Sequence, residues 1–368
     1  MTELFGRSSI GKFELFVLEL KNLINYLSGI IMKLGASYFG NRTLRHVKKD
    51  MEKMIEDGCN LVVHTMSEHD IAYHSQTMID IVKVSRDVGL EVFLDPWGIG
   101  RVFGGESFSA FVKLFPESRQ RLSFTEGDIN VNKACINSKT FRDKMSQWID
   151  LAASTGAEGV FWDEPHLFYG EFTELFGKTR KIWGCTCPTC KDIFKNSFDY
   201  EMPQEFTDDV MAFRQETILN FLEFLSDHSS SKGLKNAVCV LPYSEAKYGI
   251  YDWEKVVKLK NVDIFGSDPY WISYNEPVGD FVEKVSREIV QLCEKHDKEP
   301  QIWIQGYRIP AGREDEVSTA IKTAFNSGVR NIATWCFEGG ACMTYISSDQ
   351  PEIVWDNISK EFKHLQQK

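Results

Sequence analysis

No stretch of this sequence is long and apolar enough to cross a bilayer, which takes about 20 such residues. The most apolar early segment, 13–32, is interrupted by Glu14, Glu19 and Lys21 and carries no small-residue cleavage site. The expectation is a soluble, cytoplasmic chain without a membrane partner. Positive charge is scarce too. Lys and Arg number 42 against 53 Asp and Glu, a net charge of -11, and the basic residues form no stripe. Such a chain repels nucleic acid and anionic lipid, so neither is expected as a partner. No Gly-x-Gly-x-x-Gly follows the first apolar run, which counts against a dinucleotide site. Gly104-Gly105-Glu106 has no Lys and no following Ser/Thr in the phosphate-loop pattern. A disulfide framework is missing as well, since the 9 cysteines are odd in number and six of them stand singly in apolar contexts.

What is present is a repeat of short apolar runs and helical segments. The runs are 33–39, 60–66, 91–97, 159–165, 236–243, 262–268, 301–306 and 331–337. Their content of Val, Ile, Phe and Trp suits strands buried on both faces. Between them, Leu44, Val47, Met51, Met54 and Ile55 share one helical face, as do Val278, Phe281, Val282, Val285, Ile289 and Leu292. Gly58, Gly89, Gly156 and Gly328 stand just before strands, where a left-handed helix end needs glycine. Strands alternating with helices pair in parallel, and eight such units predict an α/β fold, a single (β/α)8 barrel over residues 32–368. An open doubly wound sheet is the alternative. Residues 1–31 form an N-terminal extension, expected to be helical. The connections 98–138 and 166–207 are long, and long loops at the carboxyl ends of barrel strands are usually functional.

The polar residues at those ends are rich in carboxylates. They include Asp95 and Trp97 after strand three, Asp163, Glu164 and His166 after strand four, and Asp268, Tyr270 and Trp271 after strand six. Tyr243 and Glu245 follow strand five, Gln305, Tyr307 and Arg308 strand seven, Trp335 and Glu338 strand eight, and His64, Glu68 and His69 strand two. Isolated buried acids are costly, so several at one rim point to use rather than accident. Paired carboxylates among Trp and Tyr suit glycosidic-bond hydrolysis, which needs one protonated acid and one ionised carboxylate. Neighbouring strand residues face opposite ways, so Asp163 and Glu164 both reach the mouth only if the chain turns at Glu164. Pro165 is expected to keep Glu164 extended.

Asp163-Glu164-Pro165 at the end of strand four resembles the acid/base position of glycoside hydrolase barrels. In the large retaining clan, Asn precedes that Glu and a second Glu ends strand seven. Here Asp163 takes the place of Asn, and strand seven ends in Gln305-Gly306. The clan containing α-galactosidases uses an Asp on strand four and one on strand six, places that Asp163 and Asp268 fill. Cys185-Thr186-Cys187-Pro188-Thr189-Cys190, with Phe194 beyond, resembles a run in an uncharacterised glycosidase-like branch. The resemblance implies Glu164 as acid/base, Asp268 or Asp163 as its partner, a carbohydrate substrate and no cofactor for catalysis. Asp95, Trp97, His64, His166, Tyr243, Tyr270, Trp271, Gln305, Arg308, Trp335 and Glu338 are the expected substrate contacts. Cys185, Cys187 and Cys190 offer three corners of a structural zinc site, with His166, His228 or a distant Cys as the fourth. A similar cysteine run in tRNA-guanine transglycosylases lies after the last strand, which differs from its position here. A metal-assisted hydrolase or lyase using Asp95, His64 and Glu164, and a non-catalytic carbohydrate-binding barrel, stand as alternatives. A homo-oligomer is left open.

Overall fold

The structure, a computed structural model, describes residues 32–123, 129–173, 179–243, 247 and 249–368. The extension 1–31 and Glu245 lie outside the described residues. Eight parallel strands close into a barrel: β1 (Lys33–Tyr38), β2 (Leu61–Thr65), β3 (Glu91–Asp95), β4 (Gly159–Asp163), β5 (Lys235–Val240), β6 (Ile264–Ser267), β7 (Glu299–Gln305) and β8 (Asn331–Trp335). Each strand pairs with its neighbours in sequence, and β8 closes on β1 with Asn331 opposite Lys33.

Strand alternation explains the apolar runs. One set of side chains fills the interior, among them Val63, Phe93, Phe161, Cys239, Trp303 and Trp335. The other set faces the helices, among them Leu34, Val62, Leu94, Val160, Val238 and Ile304. Each such large side chain contributes about 1.5–3 kcal/mol by burial. Gly159 is needed by this packing, because a Cβ there would lie 2.3 Å from the Phe93 ring.

The outer layer is α1 (Leu44–Glu56), α2 (Ser75–Asp87), α3 (Lys139–Ser154), α4 (Asp208–Ser231), α5 (Trp253–Val257), α6 (Val278–His296), α7 (Asp315–Asn326) and α8 (Pro351–Leu365). On α1 the buried stripe is Val47, Met51 and Met54, while Leu44 and Ile55 lie at its exposed edges. The four glycines that precede strands all adopt positive φ.

The two long connections hold structure that the apolar pattern does not signal. After β3, Arg119–Arg121 pairs antiparallel with Asn130–Ala134. After β4, Tyr169–Thr173 pairs with Thr179–Trp183, and the helix Pro188–Phe198 follows. The two hairpins are stitched together by a Leu122–Gly184 bridge and by Thr186 N–H donating to Arg121 O at 2.9 Å.

Beneath them lies Arg214 of α4, fully buried. Its guanidinium donates to the carbonyls of Phe168 (3.1 Å), Gly184 and Lys247 (2.8 Å). One cation therefore satisfies carbonyls from three segments, and its loss leaves them buried and unsatisfied. Arg214→Met should cost about 3 kcal/mol of stability. Chemical denaturation checks this, and a change below about 0.5 kcal/mol would remove Arg214 from its structural role.

Candidate active site at the carboxyl end of the barrel

The inward register of β3, β4 and β6 carries Asp95, Asp163 and Asp268 to the barrel mouth. Asp95 and Asp163 end their strands and Asp268 directly follows β6. Glu164 joins them by a turn. Its φ is +42°, a left-handed backbone that a non-glycine residue rarely adopts. The extended conformation expected from Pro165 is therefore not the one found. Glu164 N–H donates to Cys239 O at 3.1 Å, which fixes the turn on β5. Such strain persists only where the surroundings enforce it, commonly at functional sites.

The carboxyls of Glu164 and Asp268 are hydrogen-bonded to each other. Burial pushes both up, and Asp268 also faces the charges of Glu164 and Asp163, which hold it well above the usual carboxylate range. For Glu164, the bond from Asp268 and the charge of Lys133 oppose the effect of burial. Two carboxyls so placed resist ionising together, and Asp268 is the one driven up more strongly. Asp163 is likewise raised by burial and by Glu164 and Glu106. Asp95 is 0% exposed, and neither of its carboxyl oxygens has a hydrogen-bond partner among the described residues. Burial first, then Asp163 and Glu106, drive it well up as well.

Glycine brings the last carboxylate in. A Cβ on Gly104 would lie 2.2 Å from Asp163 Oδ2, and one on Gly105 would lie 1.8 Å from the Trp97 ring. The close approach made possible by these glycines is to the site's own side chains. Gly104 N–H donates to Asp163 O at 2.9 Å. Glu106 thereby overhangs a solvent-open cavity of about 530 Å³. Glu106, Asp163, Glu164 and Asp268 line it together with Ser273, Tyr270, Tyr274, Tyr307 and Trp335. The rings of Tyr270 and Tyr307 meet edge to face at 5.3 Å.

Other expected contacts are placed elsewhere. Trp97 stacks on Phe39 at 5.3 Å, beneath the glycine loop. His64 is turned toward α2, its Nε2 2.8 Å from Ser85 Oγ, and burial holds it neutral, down at about 3. Trp271 is buried and donates to Glu316 at 2.7 Å. Tyr243 donates to Glu276 at 2.6 Å and packs on Phe281 of α6. Gln305, where the resemblance puts a nucleophilic Glu, instead accepts from Ile272 N–H at 3.0 Å and donates to Tyr307 O at 3.1 Å, fastening two loops. Arg308 lies over Tyr345, 4.3 Å from the ring, with its charge acting on Glu106. Glu338 lines a separate cavity with Ser37, Asn41 and Asp50.

His166 does not touch the Glu164 carboxyl. Its Nδ1 lies 2.7 Å from Glu164 O, and its Nε2 lies 2.7 Å from Lys133 Nζ. Lys133 escapes a sequence reading because it sits far from any strand end of the barrel, on the hairpin strand Asn130–Ala134. Burial, with the charges of Arg101 and Arg214, lowers its ammonium to about 7.

The cysteine centre gains its fourth member. The sulfurs of Cys135, Cys185, Cys187 and Cys190 all lie within 4.8 Å of one another and are buried. His228 instead contacts Asp150 at 3.0 Å. Cys135 Sγ lies 3.7 Å from Cys187 Sγ and 3.5 Å from Cys190 Sγ. Those gaps far exceed a disulfide and match the ~3.8 Å edge of a tetrahedron with ~2.3 Å metal–sulfur bonds. The donor set fits a metal ion. Among the described residues this is the one group of His, Cys, Asp or Glu ligand atoms so gathered, and Asp95, His64 and Glu164 do not form another.

No family model matches the chain, and no curated protein matches it. Solved structures do. The endo-1,4-β-mannanase of Rhizomucor miehei is 11% identical, with a TM-score of 0.60 over 91% of this chain and 95% of its own. The catalytic domain of β-amylase from Paenibacillus polymyxa is 8% identical, with a TM-score of 0.58 over 83% and 92%. The endo-β-1,4-mannanase of Thermotoga petrophila is 11% identical, with a TM-score of 0.57 over 90% and 77%. At this identity the likeness shows the fold, a (β/α)8 barrel that these glycoside hydrolases share. No described helix is long and apolar enough to cross a membrane.

A carboxyl whose folded pKa is raised costs stability as pH climbs past its unfolded value, about 3.9, and the cost grows until the folded pKa is reached. Asp95→Asn removes that cost. Its melting temperature should exceed that of the parent at pH 8, and the gain should fade toward pH 4. Loss of stability at every pH would contradict a neutral, unpartnered Asp95.

Proposed function

We propose that this protein is a glycoside hydrolase whose catalytic pair is Glu164 and Asp268. The observation that carries the reading is the hydrogen-bonded carboxyl pair on the floor of a cavity walled by Tyr270, Tyr307 and Trp335. Glycosidic cleavage needs a protonated acid beside an ionised carboxylate, and this pair supplies both at rest. Asp268 donates its proton to the leaving oxygen as the glycosidic bond breaks. Glu164, as the ionised member, attacks the anomeric carbon. Asp268, now a base, takes a proton from the water that releases the sugar from Glu164. The assignment reverses the roles implied by resemblance to the large retaining clan and follows the strand-six acid of the α-galactosidase clan.

Carboxyls in contact open to the retaining separation of about 5 Å by side-chain rotation when a sugar enters. The inverting separation, about 6.5–9.5 Å, would need movement of the packed barrel itself. Retention of configuration is therefore the proposed outcome. Asp163 and Glu106 accept or donate to sugar hydroxyls, the aromatic rings stack on sugar faces, and Asp95 supports Asp163 from below. The substrate class is a glycoside or oligosaccharide, in line with the carbohydrate-active neighbours.

We assign Cys135, Cys185, Cys187 and Cys190 to a structural zinc ion, which is closed to substrate and plays no part in the chemistry. One zinc per chain by elemental analysis is the expected content. A metal-free chain whose four thiols are free would contradict the assignment.

Across a panel of aryl glycosides, Glu164→Gln and Asp268→Asn should each lower kcat by about 10²–10⁴-fold. Azide should restore turnover to Glu164→Ala, giving a glycosyl azide of inverted configuration. Parental activity in Glu164→Gln would overturn the proposal.

A further inference from the structure

The cysteine centre and the carboxylate cavity share a strand. Cys135 follows directly on Asn130–Ala134, and Lys133 lies two residues before it. Lys133 reaches Nε2 of His166, and Nδ1 of that ring reaches the carbonyl oxygen of Glu164. A carbonyl only accepts, so Nδ1 carries the ring proton and Nε2 accepts from the ammonium. The contact thus joins the excursion after β3, which carries Lys133 and Cys135, to the excursion after β4. The latter begins at His166 and carries Cys185, Cys187 and Cys190. The four sulfurs gather the same two excursions a few residues away. Asn137 Nδ2, beyond Cys135, lies 3.4 Å from Cys190 Sγ and adds to the join.

A lysine ammonium on a flexible four-carbon stem occupies one place only if its backbone does. The strand end that carries Lys133 is held by Gln120, which donates to Ala134 O at 2.9 Å, by Cys135 N–H on Ser118 O at 2.7 Å, and by the sulfur cluster. The first two anchors lie within the same excursion. The sulfurs tie the end of this strand to the helix Pro188–Phe198.

We propose that the four-cysteine centre, loaded with a zinc-class divalent ion, is the clamp that places Lys133 against His166, and that Lys133 is the positioning residue that braces the Glu164 turn through that ring. The geometry stands on the contacts above. The catalytic consequence rests on the glycosidase reading. Glu106, Asp163, Glu164 and Asp268 crowd the cavity, so the turn that aims Glu164 among them has to be held in place. With the clamp open, the amine leaves His166, and the ring that holds the Glu164 carbonyl loses its donor.

The test uses the full chain with three readouts: zinc content, the rate at which an amine-acylating reagent labels Lys133 by mass spectrometry, and kcat with KM on an aryl glycoside. In the zinc-loaded chain Lys133 should be protected. Stripping zinc with a chelator, or Cys187→Ser, should raise its labelling at least tenfold. Lys33, paired with Glu299 at 3.0 Å at the opposite end of the barrel, should stay protected, which shows that the barrel remains folded. Lys133→Met should keep one zinc and lose about 100-fold in kcat with KM little changed, and Lys133→Arg should recover part of the loss. Labelling of Lys133 that is indifferent to zinc overturns the clamp. Parental kcat in Lys133→Met overturns the positioning role. If no glycoside is turned over by the parent chain, the glycosidase reading and the role in kcat fall together, while the labelling experiment still decides the clamp.

Discussion

Buried carboxyl groups organise the upper end of this barrel. A carboxylate withdrawn from water is expensive unless a proton, a cation or several donors offset its charge. Asp95, Asp163, Glu164 and Asp268 are all buried or half-buried, and Glu106 overhangs them. The chain offers this group few cations. The balance is met by carboxyls raised above their usual range, Glu164 and Asp268 among them. On the proposed reading, that arrangement separates the two into a protonated and an ionised member.

Geometry enforces the crowding. Gly104 and Gly105 leave space for Asp163 and Trp97, the left-handed turn at Glu164 swings a second side chain of β4 into the mouth, and Gln305 ties the loops after β6 and β7 beside the aromatic wall. On the opposite side, the two hairpins and the four-cysteine centre build a small layer over β3 and β4, with Arg214 satisfying its inner carbonyls. The barrel supplies the floor of the site, and the glycine loop after β3 supplies one wall with Gly105 and Glu106.

The barrel was legible because each strand is buried on both faces and therefore spelled as a short apolar run, with a glycine helix end before several of them. The carboxylates were legible because polar residues stood where those runs ended. Other features were beyond a linear reading. The hairpin strands Arg119–Arg121 and Asn130–Ala134 carry no apolar alternation, so Lys133 and the fourth thiol, Cys135, lay in what reads as loop. Cys135 is separated from its partners by the whole of α3 and β4, and only folding brings it to them. His64 and Trp271 lie beside strand ends like the true cavity residues, but their side chains leave on the helix-facing side, where Ser85 and Glu316 receive them. The strained turn at Glu164 runs against the ordinary effect of the following proline, and tertiary context decides it.

The central claim is that Glu164 is the anionic, attacking member of a pair with Asp268. It is tested most directly by trapping. A 2-deoxy-2-fluoro glycosyl donor of a sugar that the protein hydrolyses should inactivate it with one sugar bound per chain. Peptide mapping should place that sugar on Glu164. Attachment to Asp268 would reverse the two roles, and attachment to a residue outside the cavity, or none at all with an otherwise good substrate, would contradict the account.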